Sequence, residues 1–440
     1  MVAGRRGWFL VGVILLANCS SRPATEFVHV KVTSGHELAA AVLGGVALFV
    51  RDAEPKLRAW RRIETTSALA PALAGHLRGQ TWVQTAFVAP EVTPASARVT
   101  ALPFEKSCPI ETPSYEPYQG YLAEAPGGVN APVAWARAGG RGEGVYFADV
   151  EGWWNAKHED LPGDRMVHAG GQPIPDRNWQ AHGTAVVGVV AARDNGIGMV
   201  GITPNVDRVV TASIGRVGAA AAIDLAQAAL RPGDVLLIEL HAIGPRNRFL
   251  PVEFWDDVYD AVTVATGRGV IVVAAAGNGG ENLDHPGYDG KLDRDVRDSG
   301  AILVGAGAPN KAGFTDRSRL SFSNYGSRVD VQGWGRMVAT LDYGDLQDCN
   351  AANRKYTNLF GGTSSASPVV TGAAIAVQGI VRASGRQALQ PRQMRALLAE
   401  TGSPQVDGPD GPKSQRIGPR PDLARAIERL EAGAIGATSR

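Results

Sequence analysis

Only 3 of the 440 residues are cysteine, and they do not form the close pairs of a zinc finger. This excludes a disulfide-rich scaffold and the common cysteine-based zinc sites. There is also almost no net charge, because 44 basic residues balance 43 acidic ones to give +1, whereas nucleic-acid binding usually requires a basic surplus. With 44% hydrophobic and 20% charged residues, the composition predicts a globular protein without a nucleic-acid partner.

Long apolar runs are missing too, since no stretch beyond the N-terminus reaches the roughly 20 residues that a membrane span needs. Near the start, Arg5 and Arg6 precede an apolar run at 8–17, which predicts a signal peptide over residues 1–19. The run ends just before Cys19, where lipoprotein signals carry their lipidated cysteine. An ordinary cleaved signal with an incidental cysteine is the alternative. Both interpretations predict export, as a secreted, periplasmic or lipid-anchored protein.

Two other cysteines remain, Cys108 and Cys349. An exported protein sits in an oxidising compartment, where disulfides form and persist. With Cys19 lipidated or removed, these two have only each other as partners. We therefore predict a disulfide between them.

Three blocks of different composition follow the signal. Residues 24–100 alternate strand-like and helical segments, which predicts a small α+β domain. Residues 101–130 belong to a proline-rich stretch and are predicted to be an extended linker. From 131 to 432, short apolar runs alternate with alanine-rich helical stretches. That alternation is typical of an α/β fold with a mainly parallel sheet buried on both faces.

Four short motifs in the third block carry groups suited to catalysis. Asp149 follows the apolar run at 144–148, and α/β sheets build their sites at the carboxyl ends of parallel strands. His182 begins a His-Gly-Thr string before a small-residue helix. Asn278 lies in a glycine-rich loop, from which its amide could face a developing negative charge. Ser364 lies at a predicted helix N-terminus, where N–H groups and the helix dipole would stabilise an oxyanion.

Each motif alone has a simpler explanation, such as a turn-forming Asp or Asn, a structural His, or a Ser helix cap. Together, in the order Asp, His, Asn and Ser, they resemble the subtilisin-like serine proteases, the subtilases, over residues 126–432. The resemblance implies a serine endopeptidase acting on protein or peptide substrates. Its charge-relay triad would be Asp149, His182 and Ser364, with Asn278 as the oxyanion donor.

The resemblance also implies a fold and a mode of regulation. The catalytic domain, residues 131–432, would have the three-layer subtilisin-like fold. Residues 24–100 would be a prodomain that assists folding and inhibits the enzyme until it is cleaved, so the protein would be a zymogen. No cofactor is required for the chemistry. A structural calcium ion is implied at Asp160 and Asn195, which resemble calcium-binding positions of subtilisin.

A substrate-binding strand and loop are implied as well. Their residues are Leu240, His241, Ala242, Ile243, Ala276 and Gly277. Ile243 is expected to narrow the specificity pocket, because it stands where the family has a pocket glycine.

The surroundings of Asp149 depart from the family pattern. Most subtilases follow this Asp with Ser or Thr and then Gly, whereas here Val150, Glu151 and Gly152 follow. Glu151 is an alternative acid, because some acidic relatives of subtilisin use a Glu. Those relatives lack the His-Gly-Thr and Ala-Gly-Asn strings, so Asp149 is the predicted triad acid.

The same departure supports an alternative function, a catalytically inactive binding protein on a subtilase fold. An α/β-hydrolase esterase is not supported, because Ser364 lacks the surrounding Gly-x-Ser-x-Gly pattern of that fold.

Overall fold

The structure is a computed structural model that describes residues 24–33, 45–47, 54–96 and 109–433. The predicted signal peptide with Cys19, and Cys108, lie outside the described residues. The chain forms two compact units that divide between Pro90 and Glu91. The small unit therefore ends before residue 100, where the prodomain was predicted to end.

The small unit combines, in its described residues, an antiparallel sheet with two helices. The strand order is β2-β3-β1-β4. Its elements are β1 (Thr25–Val32), β2 (Gly45–Ala47), α1 (Pro55–Arg58), β3 (Trp60–Thr66), α2 (Ala70–Arg78) and β4 (Val83–Val88). Alternate residues of β1, including Val28 and Val30, are buried in one core with Ala74 and Leu77 of α2. This is the strand–helix mixture predicted for the block.

The large unit is built on a seven-stranded sheet with the order β14-β13-β12-β9-β6-β8-β7, in which every pairing is parallel. Its strands are β6 (Tyr146–Glu151), β7 (Met166–Gly170), β8 (Arg208–Ser213), β9 (Val235–Ile238), β12 (Ile271–Ala275), β13 (Ile302–Gly307) and β14 (Val331–Trp334). Their short apolar runs are buried on both faces, as the sequence predicts.

Smaller strands flank this sheet. A three-stranded antiparallel sheet has the order β11-β10-β5, and a hairpin pairs β15 with β16. These strands are β5 (Val92–Pro94), β10 (Leu240–Ile243), β11 (Phe249–Pro251), β15 (Val338–Leu341) and β16 (Tyr356–Phe360).

Helices cover both faces of the seven-stranded sheet. They are α3 (Ala131–Trp135), α4 (Arg177–Ala191), α5 (Ala219–Ala228), α6 (Asp256–Gly267), α7 (Thr363–Ala383), α8 (Pro391–Thr401) and α9 (Leu423–Glu431). Helices α4 and α7 contact each other and share a core with Phe147, Leu237 and Val273 of the sheet. Helices α5 and α6 contact each other and lie against the opposite face. The result is the expected three-layer α/β fold.

Helix α7 lies at the centre of its layer. It is long and apolar enough to cross a membrane, but 94% of its most apolar 18-residue window is buried inside the fold. It packs across β9, β12, β13 and β14. Its N-terminus therefore lies over the middle of the sheet, close to the carboxyl ends of β6 and β9.

The predicted linker is not extended over its described residues, 109–130. Tyr121, Leu122 and Val129 are buried in the same core as α7. The prolines limit regular structure here to short 3₁₀ turns, but the apolar side chains between them still bury their surface. The prediction of a linker was based on the prolines and did not account for the burial of the apolar side chains between them.

Cys349 is disulfide-bonded. Both other cysteines lie outside the described residues, so the pairing with Cys108 stays a prediction.

Candidate active site

Two carboxylates project from the end of the central strand β6. The strand continues past Ala148, where the predicted apolar run stops, and ends at Glu151. Residues two apart on a strand share a face, so Asp149 and Glu151 lie on the face of Phe147, which α4 and α7 cover. Both carboxylates are completely buried.

Glu151 is the carboxylate that contacts the histidine. Its Oε1 lies 2.6 Å from Nδ1 of His182, and its Oε2 accepts a hydrogen bond from the N–H of Gly152 at 3.0 Å. Asp149 instead accepts a hydrogen bond from Nε1 of Trp154 at 2.7 Å. The sequence prediction paired Asp149 with His182, whereas the structure places Glu151 there, because the strand extends three residues beyond the predicted run.

The environment of Asp149 also argues against it as the partner of a charged imidazole. Burial raises the pKa of Asp149 well above its usual value, and the nearby charge of Glu151 raises it further, while the Trp154 hydrogen bond opposes both effects. This direction favours the neutral form of Asp149, which would not balance the charge of an imidazolium.

His182 lies in the second turn of α4, whereas the sequence predicted it at the start of a helix. The helix begins earlier because Asp176 caps it, accepting hydrogen bonds from the N–H groups of Asn178 and Trp179. Nε2 of His182 is buried and has no hydrogen-bond partner among the described residues. The ring nitrogen opposite Glu151 is therefore free to accept a proton.

Ser364 is the second residue of α7, so its N–H is one of the helix-terminal donors that have no partner within the helix. Its Oγ is buried and has no hydrogen-bond partner in the described part of the chain. Orphaned buried polar atoms are rare in folded proteins. Oγ of Ser364 and Nε2 of His182 therefore make no hydrogen bond with each other in this structure, and each is an unpartnered polar atom that a reacting group could engage.

Asn278 has a fixed orientation. Its Oδ1 accepts hydrogen bonds from both the N–H and the hydroxyl of Thr363, at 2.9 and 3.0 Å. Its Nδ2 is buried and unpartnered among the described residues. The amide is thus held by its oxygen, next to the N-terminus of α7, and its N–H groups remain available to a developing oxyanion.

An extended segment of the chain lies along β10. Strand β5 pairs antiparallel with β10, so that Pro94 faces Leu240, Thr93 faces His241 and Val92 faces Ala242. The next residue, Ala95, donates its N–H to the carbonyl of Glu239 at 3.1 Å and accepts a hydrogen bond from the N–H of Ser364 at 3.0 Å. The Ala95 carbonyl therefore lies at the N-terminus of α7, hydrogen-bonded to the backbone N–H of Ser364.

The predicted substrate-binding residues are not all placed alike. Leu240, His241 and Ala242 lie along this segment. Ile243 pairs only with Phe249 of β11, and its side chain is 54% exposed, so it does not line a pocket under the segment.

The predicted loop residues, Ala276 and Gly277, directly precede Asn278 in the chain. Gly277 has φ +91°, and a Cβ there would approach Nδ2 of Asn324 to 2.9 Å, so only glycine fits without strain. Ala276 is fully buried, and its carbonyl accepts a hydrogen bond from the same Asn324 amide.

Sequence reasoning missed one further group, Glu239. It follows β9 directly, and β9 pairs in register with β6, so its carboxyl lies beside those of Asp149 and Glu151. Burial raises the pKa of Glu239 well above its usual value. The proximity of the Asp149 and Glu151 carboxyls raises it further, and both carboxylate oxygens of Glu239 are buried without a hydrogen-bond partner among the described residues. Glu239 directly follows the apolar run at 235–238. Its position at the carboxyl end of a predicted parallel strand could have identified it as a candidate site residue.

The structure brings the predicted calcium ligands Asp160 and Asn195 together and leaves Oδ1 of Asp160 buried and unpartnered among the described residues, but other oxygens of the pair are already engaged. Calcium takes 6–8 oxygen ligands, but Oδ2 of Asp160 already accepts the N–H of Met199 at 2.7 Å, and Oδ1 of Asn195 accepts that of Ile197 at 3.1 Å. Those N–H groups would face the ion. Burial raises the pKa of Asp160 to about 8. Among the described residues, no group of three His, Cys, Asp or Glu could hold a metal.

We therefore expect dialysis against EDTA to leave the melting temperature unchanged. A site saturated at about 100 times its Kd would contribute about 2.7 kcal/mol, enough to move the melting temperature by several degrees. Calorimetry with and without EDTA measures this, and Asp160→Asn is the matched control. A drop in wild type that calcium restores, and that Asp160→Asn does not show, would establish the site.

Comparison with known proteins places this geometry in a family. The model of the subtilase family, Peptidase S8, matches residues 156–418, which include His182, Asn278 and Ser364. Both β6 carboxylates precede the matched region.

Individual relatives agree with this match. The alkaline protease of Alkalihalobacillus alcalophilus is 31% identical over 255 residues, which cover 57% of this chain and 58% of that protein. Subtilisin Savinase of Lederbergia lenta is 30% identical over 255 residues, 57% of this chain and 81% of that protein. Among solved structures, fervidolysin from Fervidobacterium pennivorans shares the fold at a TM-score of 0.60 and 18% identity, over 92% of this chain and 61% of that one. The chain belongs to the subtilase family.

Proposed function

We propose that the protein is a serine endopeptidase in which Ser364 attacks the peptide carbonyl. His182 takes the hydroxyl proton on Nε2 and returns it to the leaving amine. Glu151, and not Asp149, holds His182 through Nδ1 and stabilises the imidazolium. The N–H of Ser364 and Nδ2 of Asn278 donate to the tetrahedral oxyanion.

The observation that carries this proposal is the Ala95 carbonyl on the N–H of Ser364, 3.0 Å away. A peptide carbonyl thus lies at the helix terminus where the oxyanion would form. The strand β10 holds the residues before it in the extended form that proteases select. Leu240, His241 and Ala242 are accordingly the proposed substrate-binding residues, with Ala276 and Gly277 beside Asn278.

The alternative of an inactive binding protein rested on the altered surroundings of Asp149. In most subtilases a Ser or Thr hydroxyl follows the triad Asp. Because Glu151, and not Asp149, contacts the imidazole of His182 here, the missing hydroxyl next to Asp149 does not affect the carboxylate that acts on His182. One other feature bears on it, because the Ser364 hydroxyl and Nε2 of His182 make no hydrogen bond in the described part of the chain. In enzymes without bound substrate such bonds are often long and tighten only when the substrate binds.

A fluorophosphonate probe tests the activity directly, because it reacts with a serine only when a base activates it. Processed wild type is expected to be labelled, and Ser364→Ala is expected to remain unlabelled. Ser365→Ala is a matched control, since the Ser365 hydroxyl instead donates to the Trp334 and Gly362 carbonyls. Absence of label on folded, processed wild type would contradict the proposal.

We further propose that the protein is an exported zymogen and that the small unit is its prodomain. The segment from Glu91 to Ser96 would be the last part of that prodomain, bound as a substrate until it is cut. The bond placed for attack follows the Ala95 carbonyl, because that carbonyl accepts from Ser364. Export would use the predicted signal peptide at residues 1–19. In the lipoprotein interpretation, Cys19 would then carry the lipid that anchors the protein.

Mass spectrometry is expected to find a mature chain that begins at Ser96. Ser364→Ala is expected to keep the bond between Ala95 and Ser96 intact when it is purified alone, because cleavage needs its own nucleophile. N-terminal sequencing of both proteins distinguishes this cut from trimming by host proteases. A mature wild-type chain that begins well beyond Ser96, with this bond never cut first in a time course, would refute the assignment.

A further inference from the structure

The side chain before the attacked bond has almost no space around it. Ala95 has 0% exposure, so no gap the size of a water molecule adjoins its methyl group. Its carbonyl and N–H are both held, by Ser364 and Glu239, so this is the position a substrate residue would take. The subsite is filled by a single methyl.

His241 is placed to close this subsite. In the antiparallel pairing it lies opposite Thr93, which makes it the diagonal neighbour of Ala95 on the same face, within reach of a long side chain. The imidazole is only 3% exposed. Its Nδ1 accepts a hydrogen bond from the N–H of Asn278 at 3.2 Å, so the ring lies against the residue proposed to bind the oxyanion.

The imidazole is also held from behind. It stacks on Phe249, with ring centroids 4.0 Å apart and an interplanar angle of 7°. Burial, and secondarily the charge of His182, lower the pKa of His241 to about 3, so the ring is neutral and Nδ1 can accept. A hydrogen bond and a stacking contact thus fix it in one position.

The wall behind His241 cannot easily move. Nδ2 of Asn324 donates to the carbonyls of both Phe249 and Ala276, each at 2.7 Å, and its Oδ1 accepts the N–H of Gly279. These bonds tie β11 to the loop that carries Asn278. A larger substrate side chain would have to displace this tied arrangement, and close-packed interiors resist such changes.

We propose that His241 determines specificity by limiting the residue before the cleaved bond to the size of glycine or alanine. The substrates would then be peptides and proteins with a small residue at that position. This inference rests on the proposed endopeptidase function. It concerns which bonds are cut, and the proposed function concerns whether any are.

The experiment uses quenched fluorescent peptides based on residues 91–96, Glu-Val-Thr-Pro-Ala-Ser, with the alanine kept or replaced by Gly, Leu or Phe. Processed wild type is expected to cleave the Ala peptide at least about 100-fold faster, in kcat/KM, than the Phe peptide. His241→Gly is expected to reduce this ratio at least tenfold by opening the subsite. Ile243→Gly, on the exposed end of the same strand, is the matched control and is expected to leave the ratio unchanged.

Fluorophosphonate labelling of each variant separates the outcomes, and His241→Ala provides a second variant in case His241→Gly does not fold. Labelled wild type that cleaves the Ala and Phe peptides at similar rates would overturn this inference alone. The inference would also be overturned if His241→Gly and His241→Ala were both labelled and both kept the wild-type ratio of kcat/KM for the Ala and Phe peptides. Wild type with neither labelling nor hydrolysis would overturn the proposed function, and this inference with it.

Discussion

Glu151→Gln is expected to lower kcat about 10⁴-fold, equivalent to about 5.5 kcal/mol of barrier, while Asp149→Asn changes it less than tenfold. A glutamine amide would present an N–H to Nδ1 of His182 where the carboxylate now accepts, 2.6 Å away. The proton of the neutral ring would then move to Nε2, and His182 could no longer take the proton of Ser364. Asp149 is held by Trp154, and an asparagine oxygen can accept the same bond.

The two variants control for each other, because each replaces a buried carboxyl on the same strand by an amide of similar size. Since Glu151→Gln is expected to process itself slowly, both proteins are incubated until N-terminal sequencing shows chains that begin at Ser96. Steady-state hydrolysis of the Ala peptide gives kcat, and thermal unfolding shows whether each variant is folded. A larger loss in Asp149→Asn than in Glu151→Gln would restore Asp149 as the triad acid.

Asn278→Ala is expected to lower kcat by 10²–10³-fold, about 2.7–4 kcal/mol, with KM little changed. Nδ2 of Asn278 has no partner among the described residues, so its hydrogen bond would form chiefly with the charge that develops in the transition state. A group that binds only in the transition state affects kcat and not KM.

Thr363→Val is the control for Asn278→Ala. It removes the hydroxyl that donates to Oδ1 of Asn278 but keeps the backbone N–H that donates to the same oxygen. The amide should stay in place, and we expect kcat to fall less than tenfold. If Asn278→Ala raised KM with kcat unchanged, Asn278 would be a substrate-binding group and not an oxyanion donor.

The sequence identified most of the elements that position the site. Apolar runs gave β9, β12 and β13 to within a few residues, and the motif strings identified His182, Asn278 and Ser364. The error concerned the triad acid. Where β6 ends depends on its pairing with β8, which continues in register to Glu151 and Ser213. Pairing between distant segments is not visible in the local apolar pattern that set the predicted end at Ala148.

The segment on β10 could not be predicted for the same reason. Val92–Pro94 is only three residues long and lies within a proline-rich stretch, which reads as a loop. It becomes a strand because β10 offers it an edge more than a hundred residues away in sequence. The role of His241 was hidden likewise, since its stacking on Phe249 depends on β11 lying at the other edge of β10.

Ala95 belongs to the same chain as Ser364, which affects the expected time course of maturation. The bond proposed to be cut follows the Ala95 carbonyl, which already accepts the N–H of Ser364. We therefore expect its cleavage to be a first-order event within one molecule that does not depend on encounter between two. The half-time of the first cut should then be the same at nanomolar and micromolar protein. The released segment, no longer tethered, loses its high effective concentration, and dilution should then favour the open enzyme.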